Sequence, residues 1–184
     1  ELKICDEFDL ICFLIILYNE NLTIVNQVVT SRIVQIKTKI ASILKSVGSK
    51  SLLKKALEIE SYDGNLASLY LRNLDINDTT LHSITEILKL EVKSLEIKSI
   101  SLSYNNQLTE KSLIPFIENL PKSIHEIGLV GCDMNDLIGK RIIEKINCLP
   151  NLSMICIEKN NFSKNIINEF RQYKLDNPQV NTIF

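Results

Sequence analysis

The chain has 184 residues, 45% of them hydrophobic and 23% charged, and a net charge of −1. That profile suits one or two compact folded units, and so small a net charge excludes a global field that would draw nucleic acid or an anionic membrane. The charge is unevenly spread, however: residues 1–20 carry five acids and one Lys, whereas residues 21–57 carry seven bases and no acid.

From Asp6 to Leu17 the chain opens with acids and continues apolar without Gly or Pro, which predicts a first helix with the charge sign its N-terminus favours. The longest uninterrupted apolar run, Leu10 to Tyr18, is nine residues. A membrane-spanning helix needs about 20. Asp6, Glu7 and Asp9 have the wrong sign for a secretory signal. The first residue is Glu rather than Met, so further sequence is expected upstream.

Asn19-Glu20-Asn21 reads as a turn. Beyond it Val25, Val29, Ile33, Ile36, Ile40, Ile43 or Leu44, and Val47 recur every three or four positions. That spacing predicts a long second helix, ended by Gly48, with Arg32, Lys37, Lys39 and Lys45 on its solvated face. A third helix is predicted over Ser51 to Ile59, and Tyr62 to Asn65 closes the block. Residues 1–60 therefore read as an all-helical unit.

The remainder repeats one phrase. It runs Ile97-x-x-Ile100-x-Leu102-x-x-Asn105, then Ile124-x-x-Ile127-x-Leu129-x-x-Cys132, then Leu152-x-x-Ile155-x-Ile157-x-x-Asn160. A shortened copy starts at Val180-x-x-Ile183, and Leu66-x-x-Leu69-x-Leu71 fits upstream. After each turn comes a further apolar residue (Ile76, Leu108, Met134, Phe162) and then an apolar helical face. Pro121, Pro150 and Pro178 end three of these helices before the next strand begins. The first return, Glu91 to Leu95, lacks a proline and allows a competing register, Val92-x-x-Leu95-x-Ile97. Nothing follows the strand at Phe184, so either more chain or a partner is expected to cover that edge.

This phrase resembles the leucine-rich-repeat family, in the long, helix-containing form typified by ribonuclease inhibitor. The resemblance covers residues 61–184 and implies an α/β solenoid with a concave parallel sheet, convex helices, and strands starting near 66, 97, 124, 152 and 180. Asn105 and Asn160 would bond the turn backbone; Cys132 is an accepted substitute there and Leu74 departs from the pattern.

The same resemblance implies binding of a protein partner through the outward strand positions. These are Ser68, Tyr70, Arg72, Ser99, Ser101, Ser103, Glu126, Gly128, Val130, Met154, Cys156 and Glu158, with Thr182 and Phe184 on the last strand. Asn73, Tyr104, Gly131 and Lys159 lie just past the strands. Tyr, Arg and Met suit interface centres, and clustered exposed apolar residues mark contact surfaces.

Ile4, Asp6, Glu7, Phe8, Leu10, Phe13, Ile16, Leu22, Val25 and Val29 are similar to the F-box, given one inserted residue near Asn21. Cys5 replaces that motif's early Pro, and no Trp follows the second helix. The resemblance implies docking of Asp6, Glu7, Phe8, Leu10 and Phe13 on the adaptor of a cullin-type ubiquitin ligase, with the repeats as substrate receptor. A plain cap for the first strand is the other reading of residues 1–60.

No enzyme is expected. His82 and His125 are too few and too far apart for a metal site or a triad, and both are expected at the surface; no Gly-rich phosphate loop occurs. No cofactor, metal or nucleic acid is expected. Five cysteines (Cys5, Cys12, Cys132, Cys148, Cys156) without a C-x-x-C pair fit an intracellular, reducing compartment. The Asn-, Ile- and Lys-rich composition and the return Leu120-Pro121-Lys122-Ser123-Ile124 resemble the repeat effectors of intracellular bacterial pathogens. That implies delivery into a host cytosol and a partner that is a host protein or another effector, inhibited or scaffolded by the concave face.

Overall fold

A computed structural model describes residues 7–64, 66–91 and 97–184. The described chain begins with a single helix of 41 residues, α1 (Glu7–Val47). Gly48 then takes φ +80, where an L side chain would be strained, and its N–H closes on the Lys45 carbonyl at 3.1 Å. Ser49 caps α2 (Lys50–Ser61) by accepting from the Leu52 N–H. The two helices meet through Ile33, Ile36, Ile40 and Leu44 on one side and Leu52, Ala56 and Ile59 on the other, all buried.

Two expectations fail in this block. No turn forms at Asn19-Glu20-Asn21, and α1 runs straight through it. The triplet holds neither Gly nor Pro, and Asn costs an α-helix only a fraction of a kcal/mol; Thr23 also hydrogen-bonds back to the Asn19 carbonyl at 2.8 Å. Lys37 is not on a solvated face. It is 6% exposed, and its ammonium donates to the carbonyls of Tyr62 and Gly64, tying α1 to the loop after α2. Lys45 pairs with Glu60 at 2.7 Å.

Strands and helices then alternate: β1 (Ser68–Tyr70), α3 (Asp78–Glu91), β2 (Ser99–Ser101), α4 (Glu110–Glu118), β3 (Glu126–Gly128), α5 (Asp136–Ile146), β4 (Met154–Cys156), α6 (Lys164–Asp176) and β5 (Asn181–Ile183). The five strands form one parallel sheet in sequence order, each beside the next. The chain is thus mixed α/β, with six helices among the described residues. Pairing continues past the three-residue strands, since the N–H groups of Asn73, Tyr104 and Gly131 bond the carbonyls of Ser103, Val130 and Glu158 in the next unit. No helix among the described residues is long and apolar enough to cross a membrane.

Alternation fixes which residues face inward. Leu69, Ile100, Ile127 and Ile155 form one buried column, and Leu71, Leu102, Leu129 and Ile157 a second. Ile97 is buried in register with them; the competing start at Val92 and Leu95 lies outside the described residues. Leu81, Leu113, Ile138, Ile142, Ile166 and Phe170 supply the helical side of the core.

The last strand departs from expectation by one residue. Thr182, not Ile183, pairs with Ile155, so Thr182 sits in the buried column at 0% exposure. Its hydroxyl bonds the Val180 carbonyl, which lets a polar side chain fill that place. Phe184 consequently points inward, stacking on Phe170 with ring centroids 6.3 Å apart. Ile183 takes the outward place.

Candidate functional site

The turns after the strands decide how the outer face of the sheet is presented. Asn73, Tyr104, Gly131 and Lys159 occupy equivalent positions, and all have φ between 53 and 63. The first and third turns are held by an asparagine of the unit that follows. The Asn105 amide donates to the carbonyls of Leu71 and Leu102 at 2.7 Å, and its oxygen accepts from the N–H groups of Leu74 and Ile76 at 3.1 Å. Asn160 repeats the pattern on Leu129, Ile157, Cys132 and Met134. Cys132, in the same place, reaches only carbonyls, with Sγ 3.3 Å from that of Leu102. Burial pushes its thiol up to about 11 against the opposing pull of the Asn105 and Tyr104 backbone.

A second ladder runs along the helix starts, and sequence reasoning missed it. Asp78, the first residue of α3, accepts from the Thr109 N–H at 2.8 Å and from the Ser112 hydroxyl at 2.6 Å. Glu110 accepts from the Asn135 amide, and Asp136 from the Ser163 N–H at 2.7 Å. Each acid opens a helix and reaches the cap of the next, as the macrodipole favours. Acids recurring at the first helical position were the available signal.

On the outer face, Tyr70 (48% exposed), Ser68, Arg72 and Glu126 are exposed, while Ser101, Val130, Met154, Cys156 and Glu158 are half-exposed. Ser99 and Ser103 are outward in register yet buried. The Ser99 hydroxyl donates to Glu126 at 2.9 Å, and the Ser103 hydroxyl accepts from the Val130 N–H at 3.1 Å. They brace their neighbours. Thr182 and Phe184 leave the candidate surface for the reason given above, and Ile183, 37% exposed, joins it.

Tyr104 organises the rim of this face. The Arg72 guanidinium lies 4.7 Å from its ring centre and the Lys159 ammonium 5.6 Å. The ring reaches across Gly131, where an added Cβ would stand 3.1 Å from Tyr104 Cδ1. Gly128 likewise leaves a gap over Ser101, whose Oγ would lie 2.8 Å from a Cβ there. Beside the gap, burial pushes the Cys156 thiol pKa up, and the carboxylates of Glu158 and Glu126 add to that. One oxygen of Glu158 is buried without a partner. The sheet centre therefore favours cationic or hydrogen-bond-donating groups, and the rim favours anionic ones. At the β1 edge a hollow of about 240 Å³ opens between α2 and the strand, with Tyr62 and Tyr70 in its wall.

The structure does not bring the two histidines together: His82 is exposed on α3, and His125 is half-buried before β3, with Nδ1 covered and unpartnered. Among the described residues no group of three His, Cys, Asp or Glu side chains could hold a metal ion. Of the adaptor-docking candidates, Asp6 lies outside the described residues. Glu7, Phe8, Leu10 and Phe13 lie in the first turns of α1, with their side chains outside what is described.

No protein-family model matches this sequence, and comparison with curated proteins finds none that matches it.

Proposed function

We propose that the chain is a leucine-rich-repeat protein of the long, helix-containing type, and that it binds a protein partner through the outer face of its sheet. The role is to inhibit or scaffold that partner, with no chemistry of its own. The repeat reading is supported by strands in sequence order and by the asparagine bridge recurring at Asn105 and Asn160. One observation carries the binding reading: Tyr70, Arg72, Tyr104, Val130 and Met154 form an aromatic, cationic and apolar band that four successive strands hold in fixed register. Such side chains dominate protein interfaces, where truncating one central anchor costs about 2 kcal/mol or more.

The test is affinity capture with mass spectrometry, comparing the whole chain with a Tyr70→Ala/Met154→Glu double variant. Loss of a captured protein with an unchanged circular dichroism spectrum supports the reading; undiminished capture overturns it. A ubiquitin-ligase adaptor captured by the parent chain but not by Glu7→Lys/Phe13→Ala would instead assign a substrate receptor.

A further inference from the structure

The strand β1 stands at the end of the sheet, with β2 on one side only. Its backbone groups turned to β2 are taken. The Ala67 carbonyl accepts from the N–H groups of Lys98 and Ser99, and the Leu71 N–H donates to the Ser101 carbonyl. Strand alternation turns the N–H and C=O of Ser68 and Tyr70 the other way. Among the described residues nothing bonds them. From Ala67 to Leu71 this edge carries neither a proline nor a charge, two of the devices that keep other chains off an open strand.

The hollow beside β1 opens on that same side, with α2 as its other flank. Ile59, Leu66 and Leu69, none more than 6% exposed, give it an apolar lining. Lys55 and Glu58 also border it, but they pair with each other at 2.7 Å, so their charges cancel within the wall. Its volume of about 240 Å³ has room for one large apolar side chain, since an apolar cavity of about 150 Å³ holds a benzene ring.

We propose that β1 takes up an extended segment of a partner protein as an added strand, with one uncharged, apolar side chain of that segment set into the hollow. A row of free N–H and C=O groups is matched by another extended backbone, and a hollow beside it by an alternate side chain of the same strand. The sheet of a second copy does not supply that side chain. Its two open strands are β1 and β5, and their inward residues Leu69, Leu71 and Thr182 are already spent, each at 0% exposure. The incoming strand is therefore one that its own fold leaves free. This edge is distinct from the outer face of the sheet, and Tyr70 borders both.

A phage-displayed library of random heptapeptides, selected on the whole chain, tests this. Peptides that alternate apolar and polar residues should be enriched. When one binds, amide exchange at Ser68 and Tyr70 should slow about tenfold or more, while Leu71, already bonded to β2, keeps its rate. Ser68→Pro removes one edge N–H and spares the ladder to β2, a position where strands tolerate proline. Ala67→Phe fills the hollow from its lining. Each should weaken the selected peptide about tenfold or more, with an unchanged circular dichroism spectrum. Loss of the peptide in Met154→Glu, three strands away, would place it on the outer face, overturning this proposal and leaving the outer-face reading standing. Selection without enrichment, or binding that leaves exchange at Ser68 and Tyr70 as it was, overturns it as well. So does a dimer of the chain that Ser68→Pro breaks, which would seat a second copy on β1.

Discussion

The side chain of Asn105 donates to the carbonyl of Leu71, 34 positions earlier, at 2.7 Å, and so closes a turn that belongs to the preceding unit. Asn105 is 1% exposed. Asn105→Ala leaves two carbonyls and two N–H groups without that partner. The expected cost is about 2–4 kcal/mol in denaturant unfolding. A change too small to resolve would mean that water takes over the role of the amide.

Cys132 stands where the units on either side of it carry the bridging asparagine, and its sulfur reaches carbonyls only. Cys132→Asn should add an acceptor for the turn of the second unit and raise stability by about 0.5–1.5 kcal/mol. Destabilisation would show that this turn is too tight for the larger side chain.

Asp78 is held below its ordinary pKa: burial pushes it up, but hydrogen bonds from Ser112 and Thr109 outweigh that. Asp136 is lowered through the side chain and backbone of Ser163. A carboxylate with a depressed folded pKa contributes stability above its unfolded value of 3.8 and loses it as pH falls through the lower folded value. The native chain should therefore lose stability on acidification through that window. Asp78→Asn should be less stable near neutrality and show a shallower acid limb in thermal melts. Parallel limbs for the two proteins would contradict the ladder.

Gly131 has φ +60, and a Cβ there would stand 3.1 Å from the Tyr104 ring, so the ring would have to give by a few tenths of an ångström. Gly131→Ala should cost about 1–2 kcal/mol in backbone strain, or a melting decrease of roughly 2–8 °C for a chain of this size. It should also push the Tyr104 ring away from Lys159. Loss of ring-current shifts on the Lys159 side chain, measured by NMR, checks the displacement.

The buried columns were legible in the sequence because Leu69, Ile100, Ile127 and Ile155 obey a two-residue alternation that few other structures produce. The outward positions followed from the same rule, and so did the set of positions just past the strands, though not their left-handed backbone. The last strand did not. Val180 and Ile183 imitate the phrase, and only pairing with β4 reveals that Thr182 is the buried residue. The continuity of α1 was also hidden: Asn19-Glu20-Asn21 looks like a turn by composition, but polar residues alone do not break a helix. Which outward serines are exposed depends on partners 27 residues away, Glu126 and Val130, that no local pattern specifies.

Strand order has a consequence for how the protein comes apart. Every strand touches only its neighbours in sequence, so the free energy of the array is a chain of links rather than a single knot. The middle strands have a neighbour on both sides, whereas β5 has one, with Phe184 on Phe170 and Lys174 on the Thr182 carbonyl tying it to α6. Amide exchange should then run as a gradient, faster at β5 than around β2 and β3, which are paired on both sides. A molecule built this way loosens from its end inward, and whatever binds across several strands also holds them shut.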